Sequence, residues 1–133
     1  MNLKRAFATV ALLATTAGVG LATAGTASAD GRVTCGVGNA CLYYNSPSYG
    51  YGAHFTQNGS ISNYQNSYFS GGGAGNGLVV KNHTAYVDNW NQSCGITEYE
   101  FSTGNGGRSD YIPVYGDGVL TVTKNNNAAG HFC

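Results

Sequence analysis

Between residues 41 and 55 the chain reads CLYYNSPSYGYGAHF, where polar and apolar positions alternate and then break. Leu42 and Tyr44 fall on one side and Tyr43 and Asn45 on the other, the two-residue period of a half-buried strand. Asn45-Ser46-Pro47-Ser48 interrupts it with turn chemistry. Tyr49-Gly50-Tyr51-Gly52 then sets two aromatics beside residues free to take positive φ, and Ala53-His54-Phe55 starts a return run. The pattern predicts a β-hairpin with a folded-over tip. A weaker copy, ITEYEFSTGNGGRSDYI, spans Ile96 to Ile112, with Tyr99 in the place of Tyr44, Gly104, Gly106 and Gly107 at the corner, and Tyr111-Ile112 opening the return. Two corners also recur 43 residues apart, KNHTAY at 81–86 and KNNNAA at 124–129, whereas Tyr44 and Tyr99 are 55 apart. The first copy therefore carries an insertion of about a dozen residues, placed at the glycine run 71–77, and two copies of one β motif organise the chain.

The remaining pattern adds short strands. Leu78-Val79-Val80, Tyr86-Val87 and above all the alternating, β-branched Val119–Thr123 read as strands. Tyr64, Tyr68 and Phe69 are spaced for one helical face, but no cap or sustained period supports more than a short turn of helix. Short strands between glycine corners predict an all-β sandwich of two Greek-key motifs.

The first 29 residues have another character. Lys4 and Arg5 precede an apolar stretch rich in Ala, Thr and Gly, and Ala27-Ser28-Ala29 is an A-x-A cleavage site. The expectation is a signal peptide at 1–29 and a single secreted domain at 30–133 with no membrane attachment once the signal is removed. Without Lys4 and Arg5, four basic residues face six acidic ones, which argues against nucleic acid or an anionic membrane as partner. The surface is then built of Asn, Ser, Thr, Gly and Tyr, and the expected state is a monomer.

Cys35, Cys41, Cys94 and Cys133 all lie after the signal. In a small exported domain an even count reads as two disulfides, for which three pairings exist. Cys35–Cys41 with Cys94–Cys133 is the favoured one, worth about 2 and about 4 kcal/mol on the chain-entropy account.

Tyr44, a four-residue corner and Tyr49 with adjoining glycines resemble the βγ-crystallin Greek-key signature, although Tyr51 stands where that signature has glycine. In the second copy Gly104 replaces the second aromatic and Gly106 falls at the glycine position. With the export signal, the short Cys35–Cys41 spacing, CLYYN and the asparagine-rich corners, residues 33–133 resemble the secreted actinobacterial peptidase-inhibitor family of the Streptomyces metalloproteinase-inhibitor type. The resemblance implies a βγ-crystallin-like domain that blocks an extracellular peptidase by occlusion. It identifies no inhibitory loop.

Other chemistry is weaker. The calcium motif of the βγ-crystallins needs two Asn/Asp residues and a Ser/Thr ligand, but both corners begin with lysine (Lys81, Lys124) and put alanine (Ala85, Ala128) at the ligand position. Asp88-Asn89 starts a third candidate, with Gln92 where Ser/Thr is required. Asparagines capping tight corners account for these segments without a metal, so no cofactor is expected. Glu98 and Glu100 would share one face of a strand, as an acid/base pair or as a plain exposed face. His54, His83 and His131 lack ligand spacing, no GxSxG occurs, and the expectation is a protein that is not an enzyme. Tyr44, Tyr86, Tyr99 and Tyr111 are assigned to the core, and Trp90 to packing over a disulfide. The competing reading is a non-inhibitory structural or glycan- and wall-binding module, in which exposed tyrosines stack on sugars.

Overall fold

A computed structural model describes residues 31–104 and 106–133; the expected signal peptide at 1–29 lies outside the described residues. The fold is all-β. Its strands are β1 (Ala40–Tyr43), β2 (His54–Gln57), β3 (Tyr86–Asn89), β4 (Ile96–Tyr99), β5 (Ser109–Ile112), β6 (Asp117–Val119) and β7 (Ala129–Phe132). They form two antiparallel sheets, ordered β2-β1-β3-β6 and β5-β4-β7. Ile61 adds a single bridge to Gly130 of β7, and Tyr68 bridges Val79. The first half thus contributes to the second half's sheet through Ile61, and the second half to the first half's sheet through β6.

The internal repeat is visible in the pairing registers. Tyr43 faces His54 and Tyr86, while Tyr99 faces Ser109 and Ala129, so β1 and β4 are equivalent at a spacing of 56. Tyr99 therefore stands in the place of Tyr43, one residue away from the sequence alignment. A slip of one residue exchanges the two faces of a strand, and the corrected register sets Glu98 opposite Leu42 in the repeat. The two corners dock on each other: Asn82 N donates to Asn127 O at 2.7 Å, and Asn125 N donates to Thr84 O at 2.9 Å. Asn82 and Asn125 both take positive φ, 63° and 55°, the left-handed conformation that asparagine tolerates.

The main core lies between the sheets and holds Leu42, Phe69, Val80, Val87, Ile96, Ile112 and Leu120, with Tyr44 and Phe55 at its margin. A second cluster covers the outer face of β1. There Tyr43, Tyr51 and Tyr86 form a triangle with ring centroids 5.1–5.9 Å apart, joined by Cys35, Cys41 and Val33 of the N-terminal arm. All four residues of β1 are buried, so it is a central strand rather than the half-buried one its alternation predicts. Arg32 holds the arm down by bonding Asp88 at 3.0 Å and Asp117 at 2.7 Å, across paired strands.

Several sequence expectations change. Strand β6 ends at Val119; Thr121, Val122 and Thr123 instead turn their N–H groups onto the Asp110 carboxylate, with Thr123 N at 2.8 Å. Burial disfavours charge on Asp110, but the bonds from Thr123 and Thr121 outweigh it and hold the carboxyl below its ordinary range. Leu78–Val80 makes only the bridge at Val79. Tyr64 opens a 3₁₀ turn (Tyr64–Asn66) capped by Asn63, and Tyr64 and Phe69 are buried while Tyr68 is exposed, so these rings share no helical face.

Glu98 is the largest departure. It does not share an exposed face with Glu100; it is fully buried in the position of Leu42. Its Oε2 accepts from Asn127 Nδ2 at 3.3 Å, and its Oε1 lies 3.0 Å from Tyr64 Oη. Tyr64 Oη is also 2.5 Å from Gln57 Oε1, and the Gln57 amide is oriented by Nε2 donating to Gly59 O and Gly130 O, each at 2.8 Å. The hydroxyl has one proton and Gln57 Oε1 can only accept it, so a neutral Glu98 that donates to Tyr64 satisfies every member of the chain. Burial correspondingly pushes the Glu98 carboxyl up to about 8, against the lowering effect of Tyr64 and Asn127. Room for this chain comes from Gly130, where any Cβ would collide with Tyr64 Oη.

A carboxyl with a raised folded pKa stabilises the fold most below its unfolded value, and that contribution falls as pH rises to the folded one. Unfolding free energy should fall steadily as pH rises from roughly 4.5 towards about 8 through Glu98. Urea titrations across that range test this, and Glu98→Gln should flatten the dependence.

Candidate functional site

Both disulfides, Cys35–Cys41 and Cys94–Cys133, form as expected and lie at the same end of the sheets. Cys41 sits at the start of β1, Cys94 just before β4 and Cys133 just after β7. Ala40 pairs with Asn89, the last residue of β3, and Ile96 pairs with Ile112 and Phe132. Loops 35–39, 90–95 and 113–116 therefore emerge together. Two short sequence signals shape them: an Asn-Trp-Asn run ahead of Cys94, and Gly-Val-Gly between Cys35 and Cys41, where both glycines take positive φ.

Asn89 ties the loops together. Its buried Nδ2 donates to Cys94 O at 3.0 Å and Pro113 O at 2.9 Å, its Oδ1 accepts from Asn91 N at 3.0 Å, and its own N–H donates to Gly116 O at 2.8 Å. Asn91 repeats the pattern outward. Its Oδ1 accepts from Ser93 N and Cys94 N, both at 2.9 Å, and its Nδ2 donates to Gly38 O at 3.2 Å. Trp90 is held by its backbone, accepting from Gly38 N at 3.0 Å and donating to Asn39 O at 2.8 Å. No charged residue occurs in the three loops. Four apolar side chains on them face solvent: Val37 at 61%, Trp90 at 37%, Val114 at 42% and Tyr115 at 59% exposure.

Trp90 is 37% exposed and belongs to neither buried cluster. Tyr111 is also exposed, because it falls on the outer face of β5, with its ring over Gly95. Tyr86 is buried, and Tyr44 and Tyr99 are half-buried, with Tyr99 5.4 Å from the His131 ring. Sequence reasoning read Asn89 only as part of a metal motif and missed its structural role. Its position five residues before a bridged cysteine was the available signal.

The histidines lie on separate elements. His83 Nδ1 is 3.0 Å from Val79 O and 2.9 Å from Lys81 O, a pair of acceptors that fixes the proton on Nδ1. His54 is half-buried beneath Gly71, and burial lowers its pKa. Among the described residues no group of three His, Cys, Asp or Glu side chains converges as metal ligands do.

At the opposite end, the corners expected to be degenerate calcium sites line two depressions. In one, Lys81 Nζ donates to Ser102 Oγ at 3.1 Å, and the Glu100 carboxylate is taken by Arg108 at 3.1 Å and Asn126 Nδ2 at 2.8 Å. The bonds from Arg108 lower the Glu100 pKa. The other holds Asn45, Ser46, Lys124 and Asn125, with no carboxylate among its lining residues. Asp88, the third candidate, is paired with Arg32. Lys81 and Lys124 bring positive charge to the two depressions, and the Asp88 and Glu100 carboxylates are already held by Arg32 and Arg108.

No family model, no curated protein and no solved structure matches the chain.

Two outcomes follow from this geometry. Asn89→Ala removes the bonds that the buried Asn89 side chain makes to all three loops and should cost about 3 kcal/mol in urea unfolding. Calcium at about 1 mM, enough to fill ordinary extracellular sites, should leave the melting temperature unchanged in a thermal scan.

Proposed function

We propose that this chain is an exported domain of βγ-crystallin type that inhibits an extracellular peptidase, in the first place a metallopeptidase. Its disulfide-pinned end would enter and occlude the active-site cleft. The observation that carries the reading is the single rigid end at which both bridges, Asn89 and Asn91 fix three uncharged loops with exposed Val37, Trp90, Val114 and Tyr115. A peptidase cleft binds its occupant by shape and desolvation, and loops ordered in advance avoid an entropic cost of about 0.5–1.5 kcal/mol per immobilised side chain. The same bonds resist the opening that cleavage would require.

The fold supports the reading at a coarser level. Each half runs strand, folded corner, return strand and a crossing into the other half's sheet, a connectivity that supports a reading as interlocked Greek keys. Two disulfides fit an oxidising compartment, in line with the n-region and A-x-A site read in the sequence. The end presents Asn, Ser, Gln and apolar groups, a composition suited to occlusion of a cleft.

The test is titration of a thermolysin-like metallopeptidase with the oxidised protein, with subtilisin and papain in parallel. Stoichiometric loss of metallopeptidase activity with the protein left intact is expected, and Trp90→Ala should weaken inhibition by about tenfold or more. Unchanged activity of all three enzymes at micromolar protein, or steady digestion of the protein, would refute it.

A further inference from the structure

The end of the molecule remote from the disulfides carries a second exposed feature. Asn39 at the pinned end and Asn45 beyond β1 are six residues apart along extended chain, about 20 Å. Just past Asn45, a 3₁₀ turn (Pro47–Tyr49) projects Tyr49, which at 76% is the most exposed large apolar side chain among the described residues. The turn is rigid. Pro47 fixes its first residue, Tyr49 N donates to Ser46 O at 2.9 Å, Gly50 N donates to Pro47 O at 3.0 Å, and Asn45 Nδ2 donates to Tyr49 O at 3.3 Å. Nothing in the core needs this ring: the packing at the hairpin tip is made by Tyr44 and Tyr51.

Tyr49 borders two depressions. One, of about 340 Å³, has nine lining residues of which six are glycines, Gly31, Gly50, Gly52, Gly71, Gly72 and Gly73. Their lack of side chains makes the hollow and leaves peptide groups on its walls. Gly52 approaches so closely that a Cβ there would lie 2.7 Å from Ala74 O. The other, of about 230 Å³, is lined by Asn45, Ser46, Lys124 and Asn125 among others, and Lys124 is the only charged residue in either.

We infer that the ridge at Tyr49 and its two flanking hollows form a glycan-binding site, in which a pyranose ring lies on the tyrosine and neighbouring sugars occupy the hollows. An aromatic face attracts the electropositive C–H face of a sugar ring. Backbone amides with Asn45, Ser46 and Asn125 offer the mixed donors and acceptors that hydroxyls need. The near absence of charge disfavours polyanions, and the lack of a deep apolar pocket disfavours an anchored peptide side chain. An inhibitor carrying this site would be retained on a polysaccharide surface while its other end stays free.

The experiment is co-sedimentation of the oxidised protein with insoluble chitin, cellulose and peptidoglycan over a range of concentrations. Saturable retention on at least one of them is expected. Tyr49→Ala should weaken it by about tenfold, Tyr49→Phe should preserve it, and Tyr68→Ala, exposed but lining neither hollow, should leave it unchanged. Trp90→Ala should also leave it unchanged, which separates this site from peptidase inhibition. Retention on none of the three polymers, or equal retention of the parent and Tyr49→Ala, would overturn the inference. Folding does not confound the result, because about three-quarters of the Tyr49 residue surface is exposed, the turn is held by backbone bonds, and Tyr49→Phe keeps the ring.

Discussion

The pairing of β6 with β3, and of Ile61 with Gly130 on β7, obliges each half of the chain to extend the other half's sheet. Neither half alone has both its sheet and its side of the core, so the strands must form as one unit. The corner-to-corner bonds from Asn82 to Asn127 and from Asn125 to Thr84 close that unit at one end. The disulfides close it at the other. Within this frame, the strands are only three or four residues long, and strands so short gain their stability from packing and from these cross-links rather than from their own ladders.

The two halves share registers but have diverged in what they bury. The first carries Leu42 and Val87 at the sheet centre, where the second carries Glu98 and Gly130. The second half's cavity is filled from the first half by Tyr64, which brings a hydroxyl and so requires polar partners. Gln57, Glu98 and Asn127 supply them, and the closed chain of bonds makes the interior polar without leaving a member unsatisfied. A similar division separates the ends. One is fixed by bridges and asparagines and shows apolar side chains, and the other is shaped by glycines around one bare tyrosine. A rigid body between them would let the two proposed sites act independently.

Much of this was legible in the sequence, for identifiable reasons. The hairpins, the 43-residue spacing of the corners and the presence of two bridges depend on local chemistry and arithmetic, which a chain displays directly. The alignment of Tyr99 with Tyr44 failed because aromatic identity was matched where hydrogen-bond register decides, and Tyr43 and Tyr44 at the end of β1 offer two adjacent aromatics to match. Glu98 looked like a surface residue because its partners, Tyr64, Gln57 and Asn127, are all far away in sequence. Val119–Thr123 has strong β propensity, but the Asp110 carboxylate captures its N–H groups and bends it away from the sheet.

The functional account stands on the end loops being ordered before any partner arrives. Amide hydrogen exchange of the free, oxidised protein measures that property directly. The account predicts that the N–H groups of Gly38, Asn89, Trp90 and Cys94 exchange as slowly as those of Leu42 and Val87 in the central strands. Exchange of those four at the rate of an unprotected loop would contradict it, since a mobile end could not serve as a preformed plug for a peptidase cleft.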